Sequence, residues 1–178
     1  IGRVPKTMDL GLETVGIALD KDGAVIVDDY NRTNVAGIYA VGDVTNRVQL
    51  TPVAIREGHA FADTVFGNNP RTIDYGTIPT AIFANPPIAG VGMTEEEARA
   101  KLSDVKVYKS DFRAMKNVLA GRNERALYKM IVDGKTDKVV GLHLIGPDSA
   151  EILQAAAIAV KAGLTKQAFD DTVALHPS

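Results

Sequence analysis

The stretch Ile38-Tyr39-Ala40-Val41-Gly42-Asp43-Val44-Thr45 joins a short apolar run to a glycine and an immediately following carboxylate. The apolar run predicts a buried β-strand, with Asp43 at its carboxyl end. Ligands of open α/β sheets bind outside those strand ends. Because a carboxylate only accepts hydrogen bonds, Asp43 suits a ligand that is rich in hydroxyl groups. The alternative interpretation of Asp43 is a turn aspartate that caps a backbone amide.

A helix is expected directly downstream of this stretch. Thr51 fits an N-cap and Pro52 fits the first helical position. Apolar side chains continue along the predicted helix to about Phe66, and residues 67–70 (Gly-Asn-Asn-Pro) predict its end. The free N–H groups and the positive dipole end of such a helix start favour negative charge.

Two parts with different patterns divide the 178 residues. Residues 1–69 hold the strand described above, a second predicted strand at residues 24–27 and one helix. That is too little for a stable core, so residues 1–69 are predicted to be the last stretch of a larger α/β domain. Residues 70–178 mix strands and helices in an order that predicts an α+β domain.

The predicted elements of residues 70–178 follow from capping, alternation and turn signals. They are strands at 80–83, 105–108, 126–132 and 139–145, a helix from the capping box at 94–97 to about residue 102, a helix at 150–162 and a short helix capped by Thr165. The turn Asp133-Gly134 predicts that the last two strands pair antiparallel.

The segment 151–161 is apolar nearly all round. Such a helix is expected to bury more than one face. A single sheet covers one face, so the segment is either a subunit contact or the central helix of a core.

Composition restricts the classes of function. The chain is 46% hydrophobic and 24% charged, which is typical of a globular protein. A net charge of −2 without a basic stripe indicates no nucleic-acid partner. No uncharged apolar stretch reaches about 18 residues, so no membrane span is expected. The chain has no cysteine, which excludes disulfides and thiolate metal sites, and its three histidines do not converge, so no metal site is predicted.

Five separated motifs occur along the chain: Gly2-Arg3-Val4-Pro5-Lys6-Thr7, residues 38–45, Leu50-Thr51-Pro52-Val53-Ala54, Pro86-Pro87-Ile88 and His176-Pro177-Ser178. In order and spacing they resemble the C-terminal part of the glutathione reductase family of flavin-dependent disulfide reductases. The resemblance implies that residues 1–69 end an FAD-binding domain. It also implies that residues 70–178 form the interface domain of a homodimer, with the segment 151–161 near the dimer contact. Electrons would pass from NADPH through FAD and a redox disulfide to glutathione disulfide.

The resemblance assigns cofactor contacts to eight residues: Gly2, Gly42, Asp43, Gln49, Leu50, Thr51, Pro52 and Ala81. Asp43 would bind a hydroxyl of the ribityl chain of the flavin. The backbone of Thr51 would lie at the pyrimidine edge of the flavin, with Gln49 near the nicotinamide. Gly2 and Ala81 would approach NADPH through their backbones.

The same resemblance assigns three residues to substrate and catalysis. His176 would act in the active site of the partner subunit and protonate the leaving glutathione thiolate, a role that suits a side chain with a near-neutral pKa. His59 stands where many family members carry an arginine that binds a substrate carboxylate, and a histidine is a weaker anion clamp. A solvated helix-face histidine is the alternative for His59. Met115 would line the glutathione site, with core or surface filling as its alternative.

Parts of the family pattern would lie outside this stretch. The glycine fingerprint for FAD, the redox cysteine pair and the NADPH domain would precede Ile1, and the glutamate after the His-Pro pair would follow Ser178. We therefore expect a fragment of a cytoplasmic reductase that is inactive alone and retains neither FAD nor NADPH. Two alternatives stay open: a fragment of a related enzyme such as trypanothione reductase, and a dimerisation module without catalysis, which the absence of cysteine favours.

Overall fold

The computed structural model describes residues 2–176. The chain divides into two compact units, Ile1–Tyr75 (unit 1) and Gly76–Ser178 (unit 2). The domain boundary expected between residues 69 and 70 stays a prediction.

Unit 1 consists mainly of loops and one long helix, α1, at Thr51–Val65. Short 3₁₀ turns lie at Leu12–Val15 and Gly42–Thr45. The buried face of α1 carries Val53, Glu57 and Ala60, which are spaced four and three residues apart and therefore lie on one side of the helix. A charged residue thus stands in the middle of the buried stripe of α1.

The strands predicted at residues 24–27 and 38–41 are wrong. Each segment makes one isolated bridge, Leu19 with Val25 and Arg32 with Tyr39. The N–H of Val25 donates to the carbonyl of Val44, whereas the next N–H, of Ile26, donates to the carbonyl of Ala18. Because consecutive residues bond to different segments, no ladder develops. Residues 38–41 are also only half-buried.

Unit 2 is built on a five-stranded sheet with the order β1-β2-β5-β4-β3, in which all neighbours are antiparallel. The strands are β1 at Thr80–Ile82, β2 at Ile88–Gly92, β3 at Val105–Phe112, β4 at Ala126–Asp133 and β5 at Val139–Ile145. The antiparallel pairing of β4 with β5 across the Asp133-Gly134 turn is confirmed.

Four helices accompany this sheet: α2 at Glu95–Lys101, α3 at Met115–Leu119, α4 at Ser149–Lys161 and α5 at Lys166–Asp171. The predicted capping box at the start of α2 is confirmed. Oγ1 of Thr94 accepts from the N–H of Glu97, and Oε2 of Glu97 accepts from the N–H of Thr94. The predicted cap of α5 is also confirmed, because Oγ1 of Thr165 accepts from the N–H of Ala168 at 3.1 Å.

The core of unit 2 lies between the sheet and α4. The inner face of α4 presents Leu153, Ala157 and Val160 to β2 and β5. The opposite side of α4 is open, with Ile152 41% and Ile158 68% exposed. The interpretation of this helix as the centre of a core is therefore wrong within this chain, since one face alone is buried. The predicted α+β architecture is confirmed.

Candidate functional site

The Gly42-Asp43 pair lies in the 3₁₀ turn that precedes α1. Gly42 has φ 75°, and a Cβ atom at this position would lie 3.1 Å from Cβ of Ala54 in the first turn of α1. Glycine meets both demands, since it adopts a positive φ without strain and adds no side chain. The turn is closed by Oγ1 of Thr45, which donates to the carbonyl of Gly42 at 2.9 Å.

The carboxylate of Asp43 faces solvent and does not point into packed apolar atoms. Its side chain is 44% exposed, and Oδ2 pairs with Nη2 of Arg3 at 3.0 Å. An ion pair as exposed as this one contributes little to stability. Oδ1 accepts no hydrogen bond from the described residues, so a ligand hydroxyl can bind there.

Helix α1 begins differently from the prediction. Leu50 takes the extended cap conformation, with φ −130° and ψ 130°, and Thr51 is the first helical residue without a side-chain cap bond. The prediction of Thr51 as N-cap is therefore wrong, because its backbone has already entered the helix.

The first turn of α1 leaves a hydrogen-bond donor available. The N–H groups of Val53 and Ala54 both donate to the carbonyl of Leu50, at 3.0 and 3.1 Å. Pro52 has no N–H to offer. Within residues 2–176, the N–H of Thr51 has no acceptor, so it can bind an electron-rich group at the positive end of the helix dipole.

Glu57 joins the Gly42 turn to α1. It is 1% exposed, and its Oε2 accepts from the N–H of Gly42 at 2.5 Å. This bond therefore ties the turn that carries Asp43 to α1. Glu57 itself was missed. The available signal was a carboxylate between Val53 and Ala60 on an otherwise apolar stripe.

A polar network continues from the buried Glu57 to two half-buried side chains. Its Oε1 accepts from the hydroxyl of Tyr75 at 2.5 Å, and that hydroxyl accepts from Nη1 of Arg47 at 3.0 Å. Burial raises the pKa of Tyr75 above its usual value, and the hydrogen bond to Glu57 raises it further, while Arg47 lowers it. The hydroxyl is thus kept protonated and able to donate to Glu57.

The remaining predicted residues of unit 1 lie just before α1, on α1 and at the chain start. Gln49 is half-buried, and its Nε2 donates to Oδ1 of Asn46 at 2.8 Å. His59 is exposed on α1. Gly2 is exposed, with open space where a side chain would stand.

The predicted residues of unit 2 stand on three separate elements. Ala81 lies in β1 opposite Ala89, and Met115 is the first residue of α3 and is 47% exposed. His176 is exposed after α5, whereas Pro177 and Ser178 lie outside the described residues. In the described part of unit 2, no hydrogen bond or ion pair joins Ala81, Met115 and His176.

Neither a membrane span nor a metal cluster occurs in the part of the chain that the structure describes. Each helix among residues 2–176 is too short or too polar to cross a membrane. Within the same range, no three His, Asp or Glu side chains are grouped so that they could hold a metal ion.

Comparison with curated proteins finds relatives along the whole chain. Glutathione reductase from Burkholderia cepacia is 54% identical over 99% of this chain and 39% of its own length. The chloroplastic/mitochondrial glutathione reductase from Pisum sativum is 52% identical, over 99% of this chain and 32% of its own length. Trypanothione reductase from Trypanosoma congolense is 45% identical, over 100% of this chain and 36% of its own length. The chain therefore spans 32–39% of these relatives.

Solved structures and family profiles agree with these relatives. The HOCl-induced flavoprotein disulfide reductase RclA from Escherichia coli superimposes with a TM-score of 0.89 at 33% identity, over 99% of this chain and 41% of that protein. Residues 1–58 match the family described as pyridine nucleotide-disulphide oxidoreductase. Residues 78–178 match the family described as pyridine nucleotide-disulphide oxidoreductase, dimerisation domain. The chain belongs to the pyridine nucleotide-disulphide oxidoreductases, of which it carries the dimerisation domain.

Proposed function

We propose that this chain is the C-terminal part of an NADPH-dependent, FAD-containing reductase of glutathione disulfide. Identities of 54% and 52% to two glutathione reductases support the substrate class. One observation carries the cofactor: the turn that bears the free oxygen of Asp43 packs against Ala54 of α1 and is bonded to Glu57 of the same helix, whose first residue, Thr51, has a free N–H.

The Gly42–Thr45 turn and the start of α1 fit FAD in three respects. Asp43 offers an acceptor for a hydroxyl of the ribityl chain. Thr51 offers a donor, at the positive end of α1, for the electron-rich edge of the flavin ring. Gly42 adds no side chain and so allows a close approach to the turn. When bound, FAD supplies a two-electron carrier between NADPH and a disulfide.

Gln49, Leu50 and Pro52 complete this side of the proposed cofactor site. Gln49 is held by Asn46 and would lie near the nicotinamide of NADPH. Gly2 and Ala81 would contact NADPH through their backbones. An exposed Gly2 and a half-buried Ala81 allow such contacts.

His176 is the proposed proton donor for the leaving glutathione thiolate, in the site of the partner subunit. A histidine holds and releases a proton near neutral pH, which this step needs. Its exposed side chain is accessible to a second subunit. Met115, 47% exposed at the start of α3, would line the substrate pocket.

A second candidate substrate is favoured by His59. Glutathione disulfide carries several carboxylates, and a guanidinium binds each more firmly than an imidazole does. An exposed His59 instead of arginine therefore suits a disulfide with fewer free carboxylates. A trypanothione reductase at 45% identity is in keeping with this alternative.

We further propose that the protein is a homodimer through residues 70–178, with the open side of α4 near the contact. The exposed Ile152 and Ile158 support this arrangement, because paired copies would remove them from water. We place the protein in the cytoplasm, with no nucleic-acid partner. The organellar name of the Pisum sativum relative marks the alternative location.

The test uses the full-length protein that carries this chain. We expect flavin absorbance near 450 nm that survives gel filtration, and NADPH oxidation that depends on glutathione disulfide. Asp43→Ala should lose most of the flavin. The control Asp63→Ala removes another solvent-accessible carboxylate, near the end of α1, and should keep the flavin.

Three outcomes would contradict the proposal. They are a colourless full-length protein, full flavin content in Asp43→Ala, and NADPH oxidation that requires trypanothione disulfide instead. The 178-residue chain alone is expected to be colourless and inactive.

A further inference from the structure

We infer that Glu57 is a positioning residue that sets the place of the Asp43 carboxylate by holding the N–H of Gly42 against α1. This inference rests on the proposed FAD site, and it assigns a role to a residue that touches no cofactor in that proposal. Its basis is the hydrogen bond of 2.5 Å between Oε2 of Glu57 and the N–H of Gly42.

The position of Glu57 argues against a simple packing role. It stands between the buried Val53 and Ala60, where an apolar side chain would fill the space without the cost of burying a charge. Instead, both carboxylate oxygens have donors: Oε2 has the N–H of the buried Gly42, and Oε1 has the hydroxyl of the half-buried Tyr75. The carboxylate is therefore matched to two donors on segments outside α1.

The contact reaches the residue that immediately precedes Asp43. Glu57 holds the N–H of Gly42, and Oγ1 of Thr45 holds its carbonyl at 2.9 Å. Both polar groups of Gly42 are thus fixed by partners outside the residue itself. With Gly42 also packed close to Ala54, the direction in which Asp43 leaves the turn is determined.

Tyr75 and Arg47 hold Glu57 in place from the other end of the network. The hydroxyl of Tyr75 donates to Glu57 and accepts from Nη1 of Arg47, whose Nη2 donates to the carbonyl of Val27 at 3.0 Å. The guanidinium offsets the buried negative charge through one intervening hydroxyl. A change at Tyr75 should therefore reach Asp43 through Glu57.

The experiment measures FAD affinity in the full-length protein, by titrating the apoprotein with FAD. Glu57→Gln keeps the size of the side chain, but an NH2 group, which only donates, replaces one of the two carboxylate oxygens. The side chain therefore loses one of the two acceptors that bind the N–H of Gly42 and the hydroxyl of Tyr75. Losing one charge-assisted hydrogen bond should raise the dissociation constant for FAD about tenfold. Tyr75→Phe should raise the same dissociation constant by a smaller factor. Asp63→Asn, the same chemical change at an exposed site paired with Arg71, should leave the dissociation constant unchanged.

A double-mutant cycle separates positioning from general destabilisation. If Glu57 acts through Asp43, then the double variant Asp43→Asn/Glu57→Gln should have nearly the same FAD dissociation constant as Asp43→Asn alone. Additive effects of the two changes would overturn the inference. So would an unchanged FAD dissociation constant in both Glu57→Gln and Tyr75→Phe.

A second readout does not depend on FAD. Hydrogen exchange of the Gly42 amide should be at least about tenfold faster in Glu57→Gln than in Asp63→Asn. Equal exchange rates would overturn the inference. The two proposals can fail separately: if Asp43→Asn alone leaves FAD affinity unchanged, the proposed flavin contact is wrong. If Asp43→Asn weakens FAD and Glu57→Gln does not, only the role of Glu57 is wrong.

Discussion

Nη1 of Arg47 lies 3.0 Å from the hydroxyl oxygen of Tyr75, twenty-eight residues away along the chain. The same guanidinium donates to Oδ1 of Asn31 and to the carbonyls of Val27 and Asp28. Arg47 thus ties the loop at residues 27–31 to the segment that ends unit 1. Where no strand ladder forms, one side chain with several donors connects the loops.

Arg47→Lys is expected to loosen this loop. The ammonium group keeps the charge but cannot serve four acceptors in the fixed directions of a guanidinium. We expect the free energy of local opening at residues 27–32 to fall by about 1–3 kcal/mol, measured by hydrogen exchange of peptides covering that loop. Arg56→Lys, an exposed arginine of α1, is the matched control and should change nothing. Unaltered exchange in Arg47→Lys would contradict this account.

Glu95→Gln is expected to remove a pH-dependent part of the stability of unit 2. The hydrogen bond to Lys129, followed by that to Arg99, lowers the pKa of Glu95 from 4.5 to about 2. A carboxyl with a depressed pKa stabilises the fold above its unfolded pKa, and that contribution is lost as pH falls towards the folded pKa. The melting temperatures of the parent and the variant should therefore differ above about pH 4.5 and converge near pH 2.

The control for this change is Glu96→Gln, the neighbouring exposed carboxylate on α2. At pH 7 it should lower the melting temperature less than Glu95→Gln does, because Glu96 is an exposed carboxylate. A constant offset between Glu95→Gln and the parent down to pH 2 would show that the ion pairs with Lys129 and Arg99 are not its cause.

Gly92→Ala is expected to damage the sheet where β2 meets β5. Gly92 has φ 76°, and a Cβ there would overlap the carbonyl of Val140. Strain and overlap together should lower the free energy of unfolding by about 2–5 kcal/mol, measured by chemical denaturation. Gly121→Ala separates the two causes, because Gly121 has φ 65° with open space around it. It should cost only the strain, about 1–2 kcal/mol, and equal losses in both variants would refute the steric part.

Ile158→Asp is expected to weaken the proposed homodimer. Ile158 is 68% exposed on the open side of α4, so an aspartate there should be tolerated by the monomer but costly in a buried contact. We expect the dimer dissociation constant, measured by sedimentation in the full-length protein, to rise at least about tenfold. Ala100→Asp, at an exposed position of α2, should leave it unchanged. A dimer of unaltered affinity would place the interface elsewhere.

Elements with local signals were predicted well. The capping box of α2 involves residues three apart, Thr94 and Glu97, so the sequence contains both partners side by side. Strand β5 was predicted with the same ends as observed, Val139–Ile145, because its side chains alternate enough to indicate a strand and the turn Asp133-Gly134 precedes it.

Elements that depend on distant partners were not predicted. The apolar segment 24–27 has the composition of a strand, but its amides bond to Val44 and Ala18 in turn. There the local preference for a strand was real, and hydrogen bonds to distant segments decided the outcome. The N-cap assignment at Thr51 failed for a local reason, since Leu50 before it already takes the cap conformation.

By itself, the sequence determined the antiparallel pair β4-β5, the caps of α2 and α5, and the presence of a glycine and a carboxylate ahead of a helix. These features need partners within a few residues, so a linear pattern contains them. Only the tertiary structure decided that Glu57 holds Gly42 from 15 residues away and is itself held by Tyr75 from 18 residues away. Such contacts form when packing excludes water from the carboxylate, and the buried charge then binds whichever donors the fold brings to it.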